Sequence, residues 1–150
     1  MKIYVINGPN LNMLGVREPN IYGSTTLAEV ESSIFGHCKD IGLEVECFQS
    51  NHEGVLVDLI QQAFYKKIDG IVINPAAYTH TSVAILDALK STSLPYVEIH
   101  ISNPMEREDF RHKSFIRDSA VDSVLGKGVG GYTVAIDLLV DYLRGKKKCE

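Results

Sequence analysis

The sequence predicts an α/β fold: a five-stranded parallel sheet in the order 2-1-3-4-5, covered by helices on both faces. Three observations support this. Short apolar runs alternate with segments of helical period along the whole chain. No repeat or low-complexity linker interrupts the alternation. The 150 residues, 45% of them hydrophobic, suffice for one core, so a single catalytic-sized domain is expected over 1–150.

The strand-like runs are KIYVI (Lys2 to Ile6), LEVECF (Leu43 to Phe48), GIVIN (Gly70 to Asn74), YVEIHI (Tyr96 to Ile101) and AVDSVL (Ala120 to Leu125). After the first run, TTLAEVESSIFGHCKDIG places Leu27, Val30, Ile34 and Ile41 on one helical face and stops at Gly42. Ser50 and Glu53 of SNHE predict a capping box that opens the helix GVLVDLIQQAFYKK. HTSVAILDALKST and YTVAIDLLVDYLRG supply two more helices. Strands that alternate with helices connect by right-handed crossovers, and a flavodoxin-like three-layer order suits a chain of this size.

Composition excludes several classes. A net charge of −4 with a pI near 5.7 argues against nucleic acid, since the one basic run, Lys146 to Lys148, reads as a solvated tail. Cys38, Cys47 and Cys149 form an odd set without CxxC or a histidine at ligand spacing, so reduced structural thiols are expected, with no metal. No signal h-region or membrane-length apolar run is present, and a cytoplasmic address is expected.

In such a sheet, ligands bind beyond the carboxyl ends of the strands, where the order reverses. Strand 1 delivers Asn7 and Asn10 to that edge, strand 3 ends at Asn74 and leads into PAAYTH, and strand 4 carries Glu98 and His100. The last two are two apart and share one face of a strand that should be apolar on both. Taken alone, they fit a buried pair that satisfies itself, an edge strand facing water, or a site. In GVREPNIYG, too polar and proline-broken for a helix, Arg17 precedes Tyr22 by five residues. A guanidinium beside the phenol would favour tyrosinate and make a base; a packed ring with a snorkelling arginine is the alternative.

The blocks NGPNLNMLGVREPNIYG, FQSNHEG, INPAAYTHTSVAI, VEIHISN, REDFRHKSF and GKGVGGY, in this order, resemble the type II 3-dehydroquinate dehydratases nearly end to end. Met13, where leucine is usual, and Ala76, where glycine commonly stands, depart from the pattern. The resemblance implies elimination of water from 3-dehydroquinate through an enolate, without metal or organic cofactor. It casts Tyr22 as the base, Arg17 as the cation that lowers its pKa, with Arg107 as a further support, and His100 as the acid oriented by Glu98. Asn10 would hold a water against the enolate oxygen. Asn74 and the amides of Ile101 and Ser102 would take the carboxylate and nearby hydroxyls, and His80 and Arg111 the ring hydroxyls. His80 and Asp87 are seven apart, about 10 Å of helical rise. Asp87 would therefore reach a neighbouring site, in keeping with that family's trimers assembled into a homododecamer. The step would serve aromatic biosynthesis or quinate breakdown.

Several features point elsewhere. GKGVGG, from Gly126 to Gly131, matches GxGxxG but comes too late for a following ribose-binding acid, and its glycines read as close packing of the last helix. His52 and His112 read as structural or surface histidines, and His37, beside Cys38 in mid-helix, makes a weak ligand pair. A flavodoxin-like small-ligand binding module would want a Ser/Thr/Gly phosphate loop after strand 1, and a receiver domain an aspartate after strand 3; GPNLNMLG and Asn74 stand there instead. A type I dehydratase needs a barrel too large for this chain.

Overall fold

The computed structural model describes residues 1–16 and 18–147, and the side chains only as far as residue 145. Arg17, Cys149 and the basic tail's side chains lie outside the described residues. The strands are β1 (Lys2–Asn7), β2 (Glu44–Gln49), β3 (Gly70–Asn74), β4 (Tyr96–His100) and β5 (Asp122–Leu125). All pairings are parallel, in the order β2-β1-β3-β4-β5. Helices α1 (Pro19–Tyr22), α2 (Leu27–Asp40), α3 (Glu53–Tyr65), α4 (Val83–Thr92) and α5 (Gly131–Lys147) fill the connections and the end of the chain. The predicted flavodoxin-like α/β architecture and all five strands are present.

Strand pleat divides the core in two. Ile3 and Val5 of β1, with Val72, Val97 and Ile99, pack against α2 and α5; Tyr4 and Ile6, with Ile71, Ile73 and Tyr96, pack against α3 and α4. Glu98 and His100 share the parity of Tyr96 and so lie on the α3/α4 face. Asn7 and Asn74 share the parity of Val5 and Val72 and face α5. The sheet thus aims two sets of polar side chains from one edge toward opposite layers.

Local signals explain three differences from the sequence expectation. The capping box forms on α2, where Thr26 Oγ1 accepts from Glu29 N and Glu29 Oε2 accepts from Thr26 N at 2.7 Å. It does not form on α3: that helix begins at Glu53, so the glutamate occupies the first helical position rather than the third, and Ser50 Oγ accepts from His52 N at 3.0 Å in the preceding turn. The PNIY segment, expected as loop, makes one helical turn, with Pro19 in the first position, where its missing N–H costs nothing. At the other end of the chain, a Cβ on Gly131 would lie 3.2 Å from Ile99 Cδ1 and 3.3 Å from Val124 Cγ1, which agrees with the close packing expected of the last glycine cluster.

Candidate active site

The loop after β1 passes so close to the loop after β3 that Gly8 N donates to Asn74 O at 2.7 Å, and a Cβ on Gly8 would fall 2.4 Å from Pro75 O. This approach ties up the Gly8 amide. Side chains build the site instead. Asn10, in the left-handed region at φ 68°, is anchored by its N–H to Asn51 Oδ1 at 2.9 Å. A cavity of about 130 Å³ opens beside it at the carboxyl edge of the sheet. The first loop contributes Asn10 and Tyr22 to its lining; the segment after β3 contributes Asn74, Ala76 and His80. His100, Ile101 and Ser102 line it from the end of β4, and Arg107 and Arg111 from the segment beyond.

Glu98 has no solvent exposure and His100 very little. Burial opposes the charge on Glu98, yet the hydrogen bond from His100, the positive groups of His100 and Arg117, and the Thr79 hydroxyl outweigh it and hold the carboxyl at about 2. Oε1 accepts from Thr79 Oγ1 at 2.8 Å and lies 2.7 Å from His100 Nε2. A carboxylate can only accept, so the proton of the neutral imidazole sits on Nε2 and the ring's Nδ1 is the atom free for other chemistry. His80 stacks on this ring with centroids 6.5 Å apart, and its Nδ1 lies 2.7 Å from Lys113 O, which fixes the proton there. Burial, chiefly, keeps His80 below the ordinary histidine value, favouring its neutral form.

Tyr22 Oη accepts from Arg107 Nη1 at 2.7 Å. The Arg107 carbonyl in turn lies 3.0 Å from His112 Nε2, so a histidine read as structural or surface anchors the segment that delivers this cation. Arg111 is aimed by Glu108, whose Oε2 accepts from Nε at 2.8 Å. On the opposite face of the sheet, the buried Tyr132 hydroxyl donates to Asn7 Oδ1 at 2.6 Å and accepts from Asn74 Nδ2 at 3.0 Å, while Asn74 Oδ1 accepts from Ala76 N at 3.1 Å. Asn74 is therefore held rigidly at the cavity wall. Burial pushes the Tyr132 phenol up, which suits it to a structural bridge.

Of the residues singled out from sequence, the cavity gathers Tyr22, His100, Asn10, Asn74, His80, Ile101, Ser102, Arg107 and Arg111, with Glu98 directly behind His100. Asp87 is exposed on α4 and does not line it. Arg17 lies outside the described residues. Sequence reading missed Thr79, Ser114 and Arg117 around Glu98, and Tyr132 between the asparagines. Their types carry no local signature; only fold-level contact reveals them. Among the described residues, no group of three or more His, Cys, Asp or Glu side chains is placed to hold a metal ion, and no helix is long and apolar enough to cross a membrane.

Comparison with known proteins identifies the family. Residues 1–140 match the family described as Dehydroquinase class II. A 3-dehydroquinate dehydratase from Prochlorococcus marinus is 55% identical over 147 residues, covering 98% of each chain. A catabolic 3-dehydroquinase from Aspergillus terreus is 56% identical over 135 residues, 90% of this chain and 88% of that one. The crystal structure of a type II dehydroquinase from Butyrivibrio crossotus superposes with a TM-score of 0.91 at 54% identity, covering 93% of this chain and 97% of the other. With the match spanning nearly the whole chain, the protein belongs to the class II dehydroquinase family.

Proposed function

We propose that this chain eliminates water from 3-dehydroquinate to give 3-dehydroshikimate. The observation that carries this reading is one cavity that holds a phenol facing a guanidinium, Tyr22 with Arg107, and an imidazole backed by a carboxylate, His100 with Glu98. Such an elimination needs one base and one acid.

The chemistry follows from those positions. The ketone at C3 acidifies the C2 proton, and Tyr22, as tyrosinate, takes it. A charge-assisted hydrogen bond from Arg107 stabilises negative charge on the phenolic oxygen before transfer. Arg17, by family likeness, adds a second cation. The C2–H electron pair moves into the C2–C3 bond and the carbonyl becomes an enolate, whose oxygen faces a water held by Asn10. When the pair returns, the C1–O bond breaks and its electrons leave with the hydroxyl, which accepts a proton from His100 Nδ1–H to depart as water. Glu98 balances the imidazolium that makes this donation. Afterwards the proton on Tyr22 and the vacancy on His100 are reset through solvent. No step calls for a metal or organic cofactor.

The remaining polar groups position the substrate: Asn74 and the amides of Ile101 and Ser102 at the carboxylate and nearby hydroxyls, His80 and Arg111 at the ring hydroxyls. Asp87, exposed on α4 and absent from the lining of its own cavity, serves a neighbouring one in a homododecamer of trimers. The setting is cytoplasmic, with no nucleic-acid or membrane partner. Relatives carry both general and catabolic names, so biosynthesis and quinate breakdown are both compatible with the step.

The direct test follows the ultraviolet absorbance of the conjugated enone-carboxylate when chelator-treated protein meets 3-dehydroquinate. Steady product formation supports the reading. A folded, assembled protein that leaves the substrate unchanged overturns it.

A further inference from the structure

We infer that Arg117 is a positioning residue that tunes His100 as an acid by sharing the charge of Glu98. The inference rests on the dehydration reading for its catalytic meaning, but its physical content stands on the side-chain cluster itself.

Glu98 is the hub. His100 and Thr79 meet its Oε1, while Arg117 Nε meets Oε2 at 3.2 Å from the far side. Ser114 Oγ lies 2.9 Å and 3.1 Å from the two oxygens and accepts from Arg117 N at 3.1 Å, so the segment from 114 to 117 meets the carboxylate with the Ser114 hydroxyl as well as its cation. Among the described residues, Arg117 Nη2 is buried and meets no hydrogen-bond partner. What Arg117 delivers is a second positive charge on a carboxylate that already has one partner.

That charge has a definite effect on the first partner. A buried carboxylate facing one imidazole forms a tight ion pair, which holds the imidazolium proton and makes a poor acid. A carboxylate divided between an imidazole and a permanent cation pulls less strongly on the proton, while still fixing the ring through Nε2. The other groups around the cluster act in the same sense or weakly: His80 stacks on His100, Arg111 stands beside His80, and Tyr96, under Glu98 on the same strand, is kept neutral by burial. Asp118 is the nearby group of opposite sign, sensed by Tyr96. Arg117 is therefore the one permanent cation bonded to the hub among the described residues.

The test titrates the histidine ring signals by NMR in wild type, Arg117→Gln, Arg117→Met and Arg117→Lys, with His100→Ala assigning the resonance. Loss of the charge should raise the His100 midpoint by about one pH unit in each charge-removing variant that folds. Arg117→Lys should stay near wild type. On 3-dehydroquinate, the charge-removing variants should lose about tenfold in kcat with KM little changed, and their pH profile should move with the midpoint. A midpoint unmoved by loss of the charge, or raised equally by Arg117→Lys, overturns the inference. Since the titration needs no substrate, a wild-type protein that does not dehydrate 3-dehydroquinate would sink the functional reading and leave this result readable.

Discussion

Arg107 Nη1 and Tyr22 Oη meet at 2.7 Å although 85 residues separate them in sequence, and the guanidinium also stands 5.7 Å from the centre of the same ring. The contact ties the loop after β1 to the segment after β4 and closes one wall of the cavity. A phenol that is to act as a base needs such a donor, since the hydrogen bond strengthens as the oxygen becomes negative.

Arg107→Ala should therefore lower kcat by about 10²-fold with a smaller change in KM, because the lost interaction serves the charged base more than the bound substrate. Steady-state kinetics by product absorbance measure it. A variant with wild-type kcat would remove Arg107 from the proton transfer.

Glu98 predicts an acid-range stability change. Its carboxyl protonates near 4.5 in the unfolded chain but near 2 in the folded one. The unfolded state thus binds more protons between these values, so stability rises with pH there: the contribution, about 3 kcal/mol, is complete above pH 4.5 and lost as pH drops through 2. Urea midpoints of wild type and Glu98→Gln should differ most at neutral pH and converge below pH 4.5. A gap that stays constant with pH would contradict an ionised Glu98.

Glu98 and Arg107 show how far the sequence could be read. Period and apolar spacing were enough for the sheet, its order and its active edge, since buried parallel strands advertise themselves by composition. Glu98 and His100 were legible for the same reason, as ionisable groups where none should be. Arg107, Thr79, Ser114, Arg117 and Tyr132 were harder. Each meets its partner only after crossovers bring distant segments together, and nothing in its own neighbourhood marks it. The capping box expected at Ser50 and Glu53 failed differently: T-x-x-E before α2 and S-x-x-E before α3 look alike, but α3 starts only at Glu53, so Ser50 lies two residues too early to cap it.

Ala76 carries a left-handed backbone, φ 51°, within the cavity lining. A non-glycine residue there costs about 1–2 kcal/mol, while glycine returns about 0.4–1 kcal/mol to the unfolded chain. Ala76→Gly should accordingly stabilise the fold by about 0.5–1 kcal/mol, read as a higher urea midpoint with an unchanged slope. A destabilised variant would mean that the Ala76 methyl contributes more packing than its strain removes.

The central claim is the division of labour between Tyr22 and His100, and hydrogen exchange at C2 separates the two roles. In deuterated buffer, each variant is incubated with 3-dehydroquinate and the substrate is examined by mass spectrometry and NMR. His100→Ala retains the base but cannot expel the hydroxyl, so it should form the enolate, return it, and place deuterium at C2 faster than a protein-free control while making almost no product. Tyr22→Phe should do neither. Deuterium entering C2 under Tyr22→Phe as fast as under His100→Ala would contradict the account and assign the base to another residue.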